Sequence, residues 1–345
     1  MLKEYNIALL GFGNVLRAFA ALLERKQEDI VEDTGIRLKV VGVATNSKGI
    51  AINPEGIDLN AALALVDKNQ SLTSLHVGEP ITDAFEFIQK VPAVAILEAT
   101  WLNPQTGQPA TDFCRAALQA NKHLITANKG PVAFAYRELK ALADSKNLSF
   151  FYESTVMDGA PVHVLRREAL LGLKVNRIRG ILNSTTNSIL TRLEEGIAFD
   201  VALKEMQDAG LAEADPTNDI EGWDAAVKIN VLANIFMGVD LRPSDVDRTG
   251  ITEVTVEAAQ RAVQNGQRIK LVCEAIRTET DVRLSVKPTH LDLSDPLAHV
   301  SSTACAVSID TDILPNVMVM AGPSSPTTTA YGLLIDTLNA LRGRR

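Results

Sequence analysis

The stretch Asn6-Ile7-Ala8-Leu9-Leu10-Gly11-Phe12-Gly13-Asn14-Val15-Leu16 decides the fold. Asn6–Leu10 is a short apolar run ending in glycine and reads as a buried strand. From Asn14 to Lys26, Val15, Phe19, Leu22 and Leu23 recur on one helical face. A glycine pair between a first strand and a first helix lets a backbone approach a pyrophosphate lying on the helix N-terminus. Gly11 permits the tight turn and Gly13 the close approach, so Gly11, Phe12, Gly13, Asn14 and Val15 are candidate cofactor-binding residues. The dinucleotide fingerprint expects glycine or alanine at position 16. Leu16 departs from it, and is expected to loosen the helix–strand contact or move the helix outward.

Working outward, Leu38–Thr45, Ala93–Ala99, His123–Thr126 and Leu148–Tyr152 read as further strands, with helical stretches at Ala110–Ala120 and Tyr136–Lys146. Strands alternating with helices predict a parallel sheet of βαβ units. The fold class is α/β, with a doubly wound, Rossmann-type nucleotide-binding domain over the first part of the chain. After Tyr152 the texture changes. Arg177–Leu182 is strand-like and runs into the polar cluster NSTTN. Helical segments Leu203–Ala209 and Trp223–Met237 flank the polar loop AGLAEADPTNDIEG. The runs IKLVCEAI, DVRLSVKP and AVSID alternate as antiparallel strands do, and Thr327–Arg342 reads as a helix. This second part is an α+β domain.

The 345 residues are enough for two or three domains. The net charge of -8 argues against a nucleic-acid partner, which wants a basic stripe. Cys114, Cys273 and Cys305 are far apart, with no paired spacing for zinc or a disulfide framework, and fit a reducing cytoplasm. His76, His123, His163, His290 and His299 show no metal-ligand spacing. The N-terminal apolar run is too short for a secretory signal. No stretch reaches the roughly 18 consecutive apolar residues of a membrane span.

Loops at the carboxyl ends of parallel strands are where such sheets take ligands. The fingerprint expects an acidic residue at the end of strand two to hold the ribose. Here Thr45 is followed by Asn46-Ser47-Lys48, with no carboxylate. Ser47 and Lys48 suit a 2′-phosphate, which favours NADP over NAD; the competing reading is a solvated loop lysine. The loop Thr126–Ala133 places Lys129 where it could meet a cofactor or a substrate carboxylate. Further on, Glu213, Asp215, Asp219, Glu221 and Asp224 put five carboxylates within twelve residues. They could hold a cation or an amino group, or form a solvated loop. Asp224 and Lys228 are spaced i,i+4 on an apolar helix, where burial is expected to lower the lysine pKa towards acid–base use.

GFGNV, ITANKGPVA, YESTVMDGAP, GILNSTTNSIL and AGLAEADPTNDIEGWDAAVK occur in this order, and together the chain resembles the homoserine dehydrogenase family over most of residues 1–240. The last segment is the most specific. The resemblance implies NAD(P)-dependent interconversion of L-homoserine and L-aspartate 4-semialdehyde in threonine and methionine biosynthesis. It implies Lys228 as the proton-transferring residue and Lys129 as a second active-site lysine near the nicotinamide. Glu213, Asp219, Asp224, Ser184 and Thr185 would bind the substrate, whose ammonium wants anionic acceptors. Thr100 would contact the cofactor. Backbone carbonyls of Glu153, Val156, Asp158 and Ala160 would bind a monovalent cation, usually sodium, with Met157 standing at a family glycine position.

The resemblance further implies a homodimer and three structural parts: a dinucleotide-binding domain of residues 1–152 with 322–345, a dimerisation region of 153–170 with 291–321, and a catalytic region of 171–290. A chain ending at Arg345 leads to the expectation that no threonine-sensing regulatory domain follows. Other readings are a reductase of a different amino-acid semialdehyde and a non-catalytic nucleotide sensor on the same fold. Glu213, Asp224 and NSTTN speak against the first, and the two lysines against the second.

Overall fold

A computed structural model describes residues 2–343, so Met1, Arg344 and Arg345 of the expected nucleotide-binding ranges lie outside the described residues. The chain forms two compact units, Met1–Gly159 with Ser325–Arg345, and Ala160–Ser324. The first holds strands β1 (Lys3–Leu10), β2 (Ile36–Ala44), β3 (Ile50–Ile52), β4 (Ala95–Glu98), β5 (His123–Thr126) and β6 (Phe150–Phe151). Its helices are α1 (Asn14–Thr34), α2 (Leu59–Asp67), α3 (Ala84–Lys90), α4 (Ala110–Gln119) and α5 (Lys129–Ser145). The sheet runs β3-β2-β1-β4-β5-β6. All neighbours are parallel except the short β2–β3 pair, an edge hairpin that the sequence pattern did not disclose. The order reverses between β1 and β4, and their carboxyl ends meet at the switch point where such sheets take ligands.

Ile7–Leu10 are almost wholly buried, as a central parallel strand requires. On α1, Leu16, Phe19, Leu22 and Leu23 face the core. The helix stops at Gly35, whose φ of 68° lets its N–H bond the Val31 carbonyl. The expected loosening at Leu16 does not occur. Its side chain is fully buried in one apolar cluster with Ile7, Leu9 and Phe19, filling the space that a smaller residue would leave.

Helix α5 begins at Lys129, seven residues before the helix expected from Tyr136. Gly130 and Pro131 resemble helix breakers, but proline is well placed in a first turn, where its missing N–H has no partner to lose. Asn128 caps the helix by accepting the Gly130 N–H at 2.9 Å. Non-helical dihedrals at Ala135 then kink the helix where the sequence pattern restarts.

The second unit runs α6 (Val162–Val164), β7 (Val175–Ile181), α7 (Ser184–Glu194), α8 (Phe199–Asp208), α9 (Thr217–Ile220), α10 (Trp223–Met237), β8 (Asp247–Arg248), α11 (Val256–Gln264), β9 (Gln267–Arg277), β10 (Val282–Asp292), β11 (Cys305–Thr311) and β12 (Val317–Ala321). Its sheet order is β12-β11-β7-β9-β10-β8, antiparallel apart from the β8–β10 pair. Strands from 171–290 and from 291–321 thus share one sheet. The polar cluster NSTTN opens a helix: Asn183 caps α7, and the residues after it form its first turn. The closing helix α12 (Pro326–Leu341) belongs to the first unit, where Ala330, Leu333, Leu334 and Leu338 join the core. Among the described residues no helix is long and apolar enough to cross a membrane.

Leu16→Ala is expected to lower the unfolding free energy by about 2–5 kcal/mol, the usual loss for truncating a fully buried leucine. Denaturant titration measures it; a loss below about 1 kcal/mol would mean that the site collapses or is loosely packed.

Candidate active site

In the first unit the glycine turn follows β1. Gly11 has φ +88°, and a Cβ there would lie 2.6 Å from the Ala99 carbonyl oxygen, so only glycine fits. Gly13 caps α1 without a side-chain hydrogen bond, and a Cβ on it would meet no atom within 4 Å. The backbone beside Gly13 is thus unobstructed, and the first amides of α1 have no intrahelical acceptor. That is the environment a pyrophosphate wants, and the residues present fit a dinucleotide. Phe12 is buried, Val15 packs against the core, and Asn14 is exposed, accepting from Arg17 at 2.7 Å.

At the end of β2 the hydroxyl of Thr45 accepts the Lys48 N–H at 2.7 Å and donates to the Gly49 carbonyl at 3.2 Å, closing the turn. Asn46 and Ser47 are exposed on it. The Lys48 ammonium donates to Asn69 Oδ1. At the end of β4, Thr100 donates its N–H and its hydroxyl to Glu98, at 2.7 and 2.6 Å. Lys129, half-buried, opens α5 at the carboxyl end of β5 rather than lying in a loop.

The second unit carries an acid–base cluster. Helix α10 is apolar on nearly every side, so Lys228 is largely buried on it. Its Nζ donates to the Leu182 carbonyl at 2.8 Å and pairs with Asp224 Oδ2 at 2.8 Å. Burial alone would depress this lysine, as the sequence reading expected. The Asp224 charge, followed by Cys305 and Asp219, outweighs burial and holds the ammonium above the usual lysine range. Lys228 is therefore protonated at neutral pH. Asn183 joins the carboxylates, its Nδ2 donating to Asp219 at 2.7 Å and to Asp224 at 3.0 Å. Burial and the neighbouring Asp224 charge push the Asp219 carboxyl up. Cys273 is pushed up to about 12, mainly by burial.

Of the expected substrate contacts, Asp219 and Asp224 are drawn together with Lys228. Thr185 is buried beside them, its hydroxyl donating to the Leu211 carbonyl at 3.3 Å, and Ser184 is half-buried in the same helical turn. Glu213 stays in the exposed loop, where its backbone carbonyl accepts from Gln207 at 3.2 Å. Sequence reasoning passed over Asn183, although asparagine before a helical turn is a cap signal. It also missed Arg248, which stacks 3.8 Å over Trp223 and donates to the Glu221 carbonyl, fixing the end of the acidic loop.

In the segment expected to bind a cation, Glu153 and Val156 are buried. Met157 and Asp158 adopt φ of +60° and +58°, the left-handed region that favours glycine. The Asp158 carboxylate accepts from Thr328 at 2.8 Å and Thr329 at 3.1 Å, so its side chain is committed to the first turn of α12. The Ala160 carbonyl accepts the Val162 N–H at 2.7 Å.

A homoserine dehydrogenase family model matches residues 161–338. An NAD(+)-dependent homoserine dehydrogenase of Pseudomonas canavaninivorans is 38% identical over 98% of this chain and 96% of its own. The crystal structure of a putative homoserine dehydrogenase from Archaeoglobus fulgidus superposes with a TM-score of 0.86 at 33% identity, covering 98% of this chain and 99% of that one. A hyperthermophilic archaeal homoserine dehydrogenase in complex with NADPH superposes at 0.82 with 29% identity, covering 99% of this chain and 98% of that one. With a glycine turn at the switch point of one unit and a compensated lysine on an apolar helix of the other, the chain belongs to the homoserine dehydrogenase family.

Proposed function

We propose that Lys228 is the proton-transferring residue of this enzyme, an NAD(P)-dependent oxidoreductase that interconverts L-homoserine and L-aspartate 4-semialdehyde in amino-acid biosynthesis. The observation that carries this reading is the position of the Lys228 ammonium, 2.8 Å from both Asp224 and the Leu182 carbonyl. The bound nicotinamide supplies or accepts the hydride. In reduction Lys228 gives a proton to the oxygen that becomes the substrate hydroxyl, and in oxidation it takes that proton back. Asp219 and Asp224 keep the lysine protonated and, with Glu213, offer anionic acceptors to the substrate ammonium. Ser184 and Thr185 supply polar contacts from the first turn of α7.

Gly11, Phe12, Gly13, Asn14 and Val15 hold the pyrophosphate, and Thr100 and Lys129 the nicotinamide end. The carboxylate-free turn with Ser47 and Lys48 favours the 2′-phosphate of NADP. The carbonyls of Glu153, Val156, Asp158 and Ala160 hold a monovalent cation, most simply sodium, since carbonyl ligation does not depend on side-chain identity. The buried cysteines Cys114, Cys273 and Cys305, which form no disulfide among the described residues, fit a cytoplasmic enzyme. A homodimer follows from the resemblance.

Nicotinamide absorbance with L-homoserine and each dinucleotide tests the reaction. Reduction should depend on homoserine and run faster with NADP; faster reduction of NAD would overturn the Lys48 reading and leave the reaction standing. Lys228→Ala should lower turnover by about 10²–10⁴-fold, the usual contribution of a general acid–base group, with dinucleotide affinity retained. Unchanged turnover would remove Lys228 from the mechanism.

The pH dependence has a definite sign. Homoserine oxidation needs the neutral amine, so it should rise with pH through the elevated Lys228 pKa. Asp224→Asn removes the largest of the influences that favour the ammonium and leaves burial opposed only by Cys305 and Asp219, so the lysine pKa falls. The oxidation profile of this variant should move to lower pH, whatever its height. A profile that stays in place would show that Asp224 does not set the lysine's protonation.

A further inference from the structure

Four residues close a hydrogen-bonded ring across the carboxyl ends of β4 and β5. Glu98, the last residue of β4, is fully buried. Its Oε1 accepts the Thr100 N–H and hydroxyl, and its Oε2 accepts the Thr126 hydroxyl at 2.6 Å. Thr126 Oγ1 in turn accepts the Asn128 N–H at 3.0 Å. Asn128 Nδ2 donates back to the Thr100 carbonyl at 3.2 Å and to the Trp101 carbonyl at 3.4 Å. The other end of the same amide, Oδ1, caps α5 through the Gly130 N–H.

Among the described residues no lysine, arginine or histidine forms an ion pair with Glu98. Burial pushes its carboxyl up, while the donors from Thr100 and Thr126 pull it back. A buried carboxyl without a cation costs several kcal/mol before its hydrogen bonds are counted, and an apolar replacement of the same shape is often neutral or stabilising. Stability alone therefore does not account for an acid at the switch point of the sheet. What the ring does accomplish is geometric. It joins the chain after β4, which carries Thr100, to the first turn of α5, which carries Lys129.

We infer that Glu98 is a positioning residue for the dinucleotide, holding Thr100 directly and the start of α5 through Thr126 and Asn128. This rests on the assignment of Thr100 and Lys129 to the cofactor made above. It also specifies chemistry. The Thr100 hydroxyl has its proton committed to Glu98, so Thr100 Oγ1 faces a ligand as an acceptor. It suits an amide N–H or a ribose hydroxyl and not a phosphate oxygen.

Isothermal titration calorimetry with the reduced dinucleotide tests this without turnover. Glu98→Gln puts an amide donor where Oε2 accepts, and Thr126→Val deletes the hydroxyl. Each should weaken binding by about ten-fold or more, as loss of a hydrogen bond to a charged group does. Thr126→Ser keeps the hydroxyl and should bind within about two-fold of the parent, well short of the loss from removing that bond. In the assay, the cofactor KM should rise while the homoserine KM holds. If Glu98→Gln does not fold, the Thr126 pair carries the test alone. Parental affinity in Thr126→Val, or in a folded Glu98→Gln, would overturn the inference, as would equal rises in both KM values. Thr100→Val and Lys129→Ala serve as controls. If those two bind as the parent does, the cofactor assignment itself fails; if they weaken binding while Glu98→Gln and Thr126→Val do not, only the positioning role fails.

Discussion

A lysine ammonium placed on an apolar helix is costly unless charges and carbonyls replace its water. Much of the second unit is arranged around meeting that need at Lys228. The Leu182 carbonyl after β7 and the Asp224 carboxylate one helical turn back on α10 each accept one of its N–H donors. Asn183 fixes Asp224 and Asp219 in turn, and it does so while capping α7. One asparagine thus ties a strand end, a helix start and the acidic loop to the lysine.

The first unit answers the opposite problem. Glu98 is a buried acid with neutral donors around it. The contrast has a physical sense. An ion pair sets a protonation state, which suits a group that must pass a proton. A ring of hydroxyl and amide donors has direction but no net charge, which suits a group that must hold its neighbours in place. Nearby, Gly11 is excluded from carrying a side chain by the Ala99 carbonyl, whereas Gly13 is bare towards open space. Two glycines in one turn serve different ends, one backbone geometry and the other access.

The readings that needed correction each have a physical cause. Leu16 looked too large for its position, yet the core packs around it. Gly130 and Pro131 looked like the end of a loop, yet they lie in the first turn of α5. Lys228 looked like a lysine depressed by burial, yet Asp224, Cys305 and Asp219 together reverse the sign. Leu16 depended on neighbours distant in sequence, Gly130 and Pro131 on a cap from Asn128, and Lys228 on a competition between burial and nearby charge.

The sequence by itself determined the main strands of the first unit, its first helix and the kind of chemistry. The apolar run before Gly11, the alternation of strands and helices, and the Asp224–Lys228 spacing are local patterns, and local patterns follow from the period of the backbone. Tertiary structure alone decided which groups are charged and what holds them. Asn183 reaches Asp219 and Asp224 across 36 and 41 residues, and Glu98 reaches Thr126 across 28. A hydrogen bond across that separation leaves no periodic trace in the chain, because its energy depends on where the sheet brings two side chains and not on their spacing in sequence.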